Sequence, residues 1–289
     1  MSCSTGGISL EYLFGSPEKI GAISNLTLEQ LAYVTCRGGW PGGVLKKTEK
    51  AALTLVEEYY EAIVRSDISR VNSVTRDADT ARRIMRSYVR HQGTQTGINA
   101  IIDDISTNEN DRISDKTVNS YLNALREIFV IDDMPAWNPN LRSKTAIRSS
   151  DTRYFNDPSI ATAALGIGPK DLINDLNTFG LLFETLCVRD LRVYAYALGG
   201  QVYHYRDKNG LECDAVIHLK NGTYGLVEIK LGGERLIGEG AASLNKLASK
   251  IDTDRMKAPA FRMVLTGVGD FAYKRTDGVY VVPIGCLKD

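Results

Sequence analysis

The sequence predicts an α/β (α+β) protein, with an N-terminal helical and winged helix-turn-helix region before a C-terminal α/β domain. Apolar residues recur at helical spacing through much of the first half of the chain, where Thr27 is placed to cap a short helix with Gln30 at the capping-box position. After residue 178 the elements follow the order helix, three strands, helix, strand and strand. Residues 158–177, which contain Gly166, Gly168 and Pro169, form a connector, so we place the domain boundary there.

The composition is that of an ordinary globular protein, with 43% hydrophobic and 24% charged residues. Lys plus Arg and Asp plus Glu each total 35, so the net charge is zero and any basic surface is local. The five cysteines form no CxxC pair, which favours a reducing cytoplasm over a zinc or disulfide framework: Cys3, Cys36, Cys187, Cys213 and Cys286. We see no signal-peptide pattern and no apolar run of roughly 20 residues, so we expect no membrane partner.

Residues 99–157 follow the order of a winged helix-turn-helix, with two helices and then two short strands around a basic loop. Ser114 is placed to cap the second helix, whose apolar stripe is Val118, Tyr121, Leu122, Leu125 and Phe129. Docking on DNA would turn Thr117, Asn119, Ser120 and Asn123 toward the groove and place Arg142, Lys144 and Arg148 of the wing on phosphates. A packing or protein-contact role is the alternative, favoured by the acidic residues Asp132 and Asp133 beside the wing.

Two carboxylates and a lysine stand on neighbouring predicted strands of the C-terminal domain. Asp214 lies in one strand, and Glu228 and Lys230 share a face of the next because side chains repeat every second residue. Asn221 and Gly222 predict the hairpin that would bring Asp214 alongside Glu228. Two carboxylates beside an ammonium group are a ligand set for Mg²⁺ or Mn²⁺, and bound water can then attack a phosphodiester.

These residues resemble the motif of the PD-(D/E)XK nuclease superfamily, an Asp, a variable hairpin and then Glu-x-Lys. The resemblance implies a restriction-endonuclease-like fold with Asp214, Glu228 and Lys230 as catalytic residues. Glu184, in the preceding helix, matches the helix glutamate that often completes the metal site. The alternative is an ion-paired cluster in which Lys230 only balances the two carboxylates.

The whole chain also resembles the C-terminal region of a large group of prokaryotic AAA-type ATPases, through "LAYVTCRGGWP", "DTRYFNDPSIATAALG", "FETL", "ECDAVI" and "VEIKLGG". That resemblance implies three parts: 1–45, the end of an ATPase module; 46–160, a helical and winged-helix domain; and 178–289, the nuclease-like domain. No GxxxxGK[ST] motif occurs, so we expect no ATP binding by that route and a truncated or separately encoded portion of such an ATPase. Arg37 is expected to be structural.

Two functions from different classes remain open. The first is a Mg²⁺-dependent DNA-processing module that docks through the winged helix and hydrolyses phosphodiesters. The second is a non-catalytic binding or regulatory module that contacts DNA or an ATPase partner, favoured by the neutral charge.

Overall fold

The computed structural model describes residues 6–106, 113–138, 150–254 and 256–288. The helices in these ranges are α1 (Leu10–Phe14), α2 (Leu28–Arg37), α3 (Pro41–Val44), α4 (Glu49–Ala62), α5 (Ile68–Arg70), α6 (Ala78–Arg90), α7 (Ile98–Ser106), α8 (Asp115–Glu127), α9 (Pro158–Leu165), α10 (Pro169–Asn174), α11 (Leu176–Ala197) and α12 (Glu234–Lys250). The strands are β1 (Ile8–Ser9), β2 (Ala22–Ile23), β3 (Gly200–Arg206), β4 (Glu212–Leu219), β5 (Tyr224–Lys230), β6 (Phe261–Thr266), β7 (Phe271–Lys274), β8 (Tyr280–Pro283) and β9 (Leu287–Lys288). None of these helices has the length and apolar character needed to cross a membrane.

The described residues form two compact units. Unit 1 consists of the described residues within Met1–Leu31, Met134–Ser149 and Cys187–Asp289. Unit 2 consists of the described residues within Ala32–Asp133 and Ser150–Leu186. Distant parts of the chain meet within unit 1, where β1 pairs with β9 and β2 pairs with β7.

A mixed α/β architecture characterises unit 1. Its described strands form a seven-stranded sheet in the order β2-β7-β8-β6-β5-β4-β3, with β3, β4 and β5 antiparallel and β5, β6 and β8 parallel. The predicted hairpin joins β4 to β5, and Gly222 adopts a φ of 81° in its turn. Helix α12 covers one face of the sheet, where Ala241 and Leu244 pack in one core with Val216 and Leu226.

The predicted helix starts are confirmed by their hydrogen bonds. The Gln30 amide N–H donates to Thr27 Oγ1 at 3.2 Å, and the Thr27 N–H donates to Gln30 Oε1 at 3.0 Å, as in a capping box. Ser114 caps α8 by accepting from the Thr117 N–H at 3.1 Å. Side-chain oxygens therefore satisfy backbone donors that the first turn of each helix leaves open.

The apolar stripe of α8 needs one correction. Val118, Tyr121, Leu122 and Leu125 are buried as expected, whereas Phe129 is 75% exposed. The helix ends at Glu127, and Phe129 adopts a φ of 57° while the Val130 N–H donates back to the Leu125 carbonyl at 2.9 Å. This left-handed ending rotates Phe129 away from the stripe.

The segments predicted as wing strands meet in a short antiparallel bridge between Ile131 and Phe155. Asp133, beside this bridge, accepts hydrogen bonds from the Tyr88 hydroxyl and from Arg126, whose guanidinium lies 2.6 Å away. The charge of Asp133 is therefore balanced inside unit 2. The wing residues Arg142, Lys144 and Arg148 lie outside the described residues.

Candidate metal centre

Asp214, Glu228 and Lys230, here named the three-charge cluster, lie on the adjacent strands β4 and β5. Regular pairing aligns Ala215 with Val227 and proceeds toward the hairpin. The pairing of β3 with β4 is irregular between Tyr203 and Tyr205, opposite the part of β4 that contains Asp214. Such a bulge changes the direction of nearby side chains. The contacts of Asp214 therefore show the direction of its side chain better than strand alternation does.

Lys230 Nζ lies between the two carboxylates, 2.6 Å from Glu228 Oε2 and 3.1 Å from Asp214 Oδ2. Asp214 Oδ2 also accepts the Ile229 N–H at 2.7 Å, which ties this side chain to the backbone of β5. A shared cation is expected to hold the two carboxylates roughly 4–6 Å apart, and the contact of both oxygens with one Lys230 nitrogen is compatible with that range. The prediction that these three side chains lie on the same face of the sheet is confirmed by their contacts.

Burial and charge set the protonation of the cluster. Glu228 is only 5% exposed, and this burial, with the negative charge of Asp214, raises its pKa to about 8 against the opposing effect of Lys230. Burial acts to lower the pKa of Lys230, but the charges of Asp214 and Glu228 outweigh it and raise that pKa above its ordinary value. Near neutral pH these shifts favour a charged Lys230 beside a protonated Glu228.

Helix α12 closes the cluster on one side because a glycine allows it to approach the sheet. A Cβ atom on Gly240 would lie 3.3 Å from Glu228 Cβ and 3.7 Å from Lys230 Cε. The side chains of Asp214 and Lys230 keep 18% and 24% of their surface exposed. Solvent therefore reaches the cluster through Asp214 and Lys230, not through Glu228.

Glu184, the fourth predicted site residue, belongs to unit 2. Its Oε1 atom accepts a hydrogen bond from the Tyr154 hydroxyl, and a Cβ atom on Gly93 would lie 3.3 Å from the same oxygen. In the described part of the chain, no group of three or more His, Cys, Asp and Glu side chains is arranged to hold a metal ion.

Asp214 and Glu228 offer two carboxylate groups to a hard divalent cation. Two carboxylates supplemented by water are a set that Mg²⁺ uses, and partial exposure of Asp214 admits water. Binding would require Glu228 to lose its proton and the ammonium of Lys230 to move from between the oxygens. The donor set fits Mg²⁺ or Mn²⁺ under those two conditions.

The predicted DNA-facing residues of α8 differ in what surrounds them. Ser120 is held by Arg76, whose guanidinium donates to its hydroxyl at 3.3 Å. The Asn119 amide donates to the Asp115 carbonyl of the same helix at 2.9 Å, and Thr117 shares a hydrogen bond with the capping Ser114. Asn123 is exposed and accepts from Arg126 at 3.1 Å. Asn123 is therefore exposed to solvent, whereas Ser120 is held by a hydrogen bond within unit 2.

Sequence reasoning missed an open groove of about 940 Å³ in unit 1. Four rings from four elements line it, namely Trp137, Tyr196, Tyr203 and His218, with Lys220 at the β4–β5 turn. Trp137 belongs to a short segment that pairs with the outer edge of β3. The backbone N–H of Trp137 donates to the His204 carbonyl at 2.6 Å. Aromatic residues on β3 and β4 were the available signal, but strand interiors commonly contain them.

Fold and cluster together define a mixed α/β protein with a carboxylate–lysine cluster on its sheet. Comparison with known families adds that residues 179–287 match a domain of unknown function, DUF4143, which is found in AAA-ATPase-associated proteins. Residues 28–171 match another domain of unknown function, DUF8612. No curated protein matches this chain.

Proposed function

We propose that unit 1 is a Mg²⁺- or Mn²⁺-dependent phosphodiesterase of the PD-(D/E)XK type, in a chain that acts on DNA. The observation that carries the proposal is the convergence of Lys230 with the carboxylates of Asp214 and Glu228 in one partly exposed cluster. Hydrolysis of a phosphodiester needs positive charge and an activated water at one point, and these residue types can provide both.

Each member of the cluster has a distinct proposed role. Asp214 and Glu228 hold the cation, and Asp214 is kept in place by the Ile229 N–H. A bound divalent cation supplies positive charge and lowers the pKa of a bound water. The ammonium of Lys230, once it has moved from between the carboxylates, stabilises the negative charge that develops on the phosphate.

A second candidate is a non-catalytic module in which the cluster only stabilises the sheet. The observation that favours it is the mutual satisfaction of the cluster, in which Lys230 contacts both carboxylates and the Ile229 N–H caps Asp214. The raised pKa of Glu228 favours the neutral form of one of the two carboxyl groups near neutral pH. The cluster is then balanced without a cation, as in a buried ion pair.

The partners belong to the same proposal. An ATPase module or a separate ATPase chain is the proposed protein partner, supported by the association of DUF4143 with AAA ATPases. DNA is the proposed nucleic acid, contacted through α8 and the wing residues of a winged helix. We place the proposed activity in the cytoplasm.

A cleavage assay separates the two functions. Supercoiled plasmid and single-stranded DNA are incubated with Mg²⁺ or Mn²⁺ and with wild type, Asp214→Ala or Glu212→Gln. Glu212 is the matched control because it is an exposed carboxylate on the same strand, paired with Arg206 at 3.1 Å. We expect cleavage by wild type and by Glu212→Gln and none by Asp214→Ala; inactive wild type, or equal activity of all three, contradicts the proposal.

A further inference from the structure

The aromatic groove of unit 1 has a wall formed by two adjacent strands. Tyr203 on β3 and His218 on β4 have ring centroids 6.4 Å apart, and His218 lies 6.2 Å from Tyr224. Both Tyr203 and His218 are half-buried, and both line the groove. Trp137 and Tyr224, with centroids 5.0 Å apart, form a buried support below them.

Polar groups in the groove are also oriented. The Tyr203 hydroxyl donates to Gln201 Oε1 at 2.9 Å. This hydrogen bond fixes the orientation of the tyrosine ring, and it uses the oxygen of the Gln201 amide, not its NH₂ group. Lys220, exposed at the hairpin turn, places an ammonium at the rim. Tyr196, 84% exposed near the end of α11, provides a further ring at the opening.

Charge distinguishes the groove from the three-charge cluster. The lining residues that the structure describes include one lysine and no carboxylate. A volume of about 940 Å³ lies within the range of roughly 300–1,000 Å³ that is common for ligand pockets. Aromatic rings favour a planar ligand, and the polar groups beside them favour one that forms hydrogen bonds. The single lysine and the absence of carboxylates among these lining residues favour a negative charge next to that planar group.

We propose that this groove binds an unpaired base of single-stranded nucleic acid. The base lies against Tyr203 and His218, and Lys220 contacts the adjoining phosphate. Every base has an aromatic face, so stacking provides affinity with little sequence preference, and a lysine provides the salt-dependent part. This proposal takes its ligand class from the proposed function, but it concerns the end of β4 away from Asp214.

The test is binding in EDTA, so that it does not depend on cleavage. A fluorescein-labelled oligothymidylate is titrated by fluorescence anisotropy with wild type, Tyr203→Leu and the control Tyr273→Leu. Tyr273 is also half-buried, but on β7. We expect Tyr203→Leu to weaken binding about tenfold, the effect of one lost base–ring stack, and Tyr273→Leu to leave it unchanged.

A second pair of variants covers the case in which Tyr203→Leu fails to fold. Tyr196→Ala removes an exposed ring at the opening and should weaken binding severalfold. Lys220→Ala should reduce the salt slope by about 0.7, the single-strand value for one contact, and Lys246→Ala on the exposed side of α12 should not. Absence of binding by wild type, equal affinity for a duplex of the same length, or wild-type affinity in every folded groove variant overturns the proposal.

Failure of this proposal is distinguishable from failure of the proposed function. Cleavage that depends on Asp214, together with unchanged oligothymidylate binding in Tyr203→Leu and Tyr196→Ala, would reject the groove and retain the phosphodiesterase. Groove-dependent binding by a protein that cleaves nothing would reject the phosphodiesterase and retain the groove.

Discussion

The ammonium of Lys230 lies 2.6 Å from Oε2 of Glu228, a carboxyl group that is almost fully buried. This contact favours the ionised form of Glu228, whereas burial and the nearby charge of Asp214 favour its protonated form. The second pair of effects prevails, since the pKa of Glu228 rises to about 8. The protonation state of one glutamate therefore connects the stability of the sheet to the proposed binding of a cation.

Stability should fall as pH rises from about 5 to about 8 in EDTA. The pKa of Glu228 is raised in the folded state from an ordinary value of 4.5 to about 8, so the folded chain binds a proton that the unfolded chain has released. The free energy of unfolding then decreases by up to about 1.4 kcal/mol per pH unit over this interval. Urea denaturation at several pH values measures the slope.

Glu228→Gln is the variant that isolates this effect. Glutamine cannot titrate, so its free energy of unfolding should change less with pH than that of wild type between pH 5 and 8. Identical pH dependence in the two proteins would show that Glu228 does not carry the raised pKa.

Asp214→Asn should raise the melting temperature of the protein in EDTA and reduce its stabilisation by Mg²⁺. Asparagine retains an oxygen acceptor for the Ile229 N–H, and it removes the charge that raises the pKa of Glu228, so Glu228 can ionise and pair with Lys230. Differential scanning calorimetry with and without Mg²⁺ measures both effects, with Glu212→Gln as the control. Marked destabilisation of Asp214→Asn in EDTA would favour the ion-paired structural cluster.

Gly38→Ala should destabilise unit 2 by about 3 kcal/mol. Gly38 adopts a φ of 70°, and a Cβ atom there would lie 2.4 Å from both Asp157 Oδ1 and Ser159 Oγ. These two side chains receive the Gly39 N–H and the Trp40 indole N–H, so the added atom would separate the turn from its partners. Urea denaturation followed by circular dichroism measures the loss.

Gly166→Ala is the control for Gly38→Ala. Gly166 has a φ of 69°, but a Cβ atom there would have no neighbour within 4 Å. Its substitution carries only the conformational cost of about 1 kcal/mol. Equal losses in the two variants would show that the contacts with Asp157 and Ser159 contribute little.

The wing is tested by replacing Arg142, Lys144 and Arg148 together with Ala. If they contact phosphates, affinity for duplex DNA should fall with little dependence on sequence, and the salt slope should decrease by about one unit for each lost contact. Fluorescence anisotropy at several salt concentrations gives both quantities. The charge-matched control replaces the exposed Lys46, Lys47 and Lys50; an unchanged slope in the wing variant would favour a protein-contact role.

Local sequence signals predicted local structure well. The capping residues Thr27 and Ser114 and the turn at Gly222 lie where their short-range hydrogen bonding and conformational preferences place them. Phe129 was predicted wrongly because helical spacing does not show that the helix ends in a left-handed residue. A glycine would have signalled that ending, whereas a phenylalanine does not.

Long-range structure was less accessible from the sequence. The pairing of Ile8 with Leu287 unites segments from opposite ends of the chain, and no local pattern specifies such a partner. Spacing predicted that Glu228 and Lys230 share a face, but the irregular pairing beside Asp214 made its direction depend on the folded backbone. The groove also required the structure, because Trp137 and Tyr203 are remote in sequence.

The most direct test of the central claim, that the three-charge cluster binds a divalent cation, is calorimetric titration with Mn²⁺. The experiment compares wild type with Asp214→Asn and with the exposed control Glu212→Gln. We predict one Mn²⁺ per chain for wild type and for Glu212→Gln, and binding weakened at least tenfold in Asp214→Asn, which loses a charged ligand. No binding to folded wild type, or the same affinity in Asp214→Asn, would contradict the account.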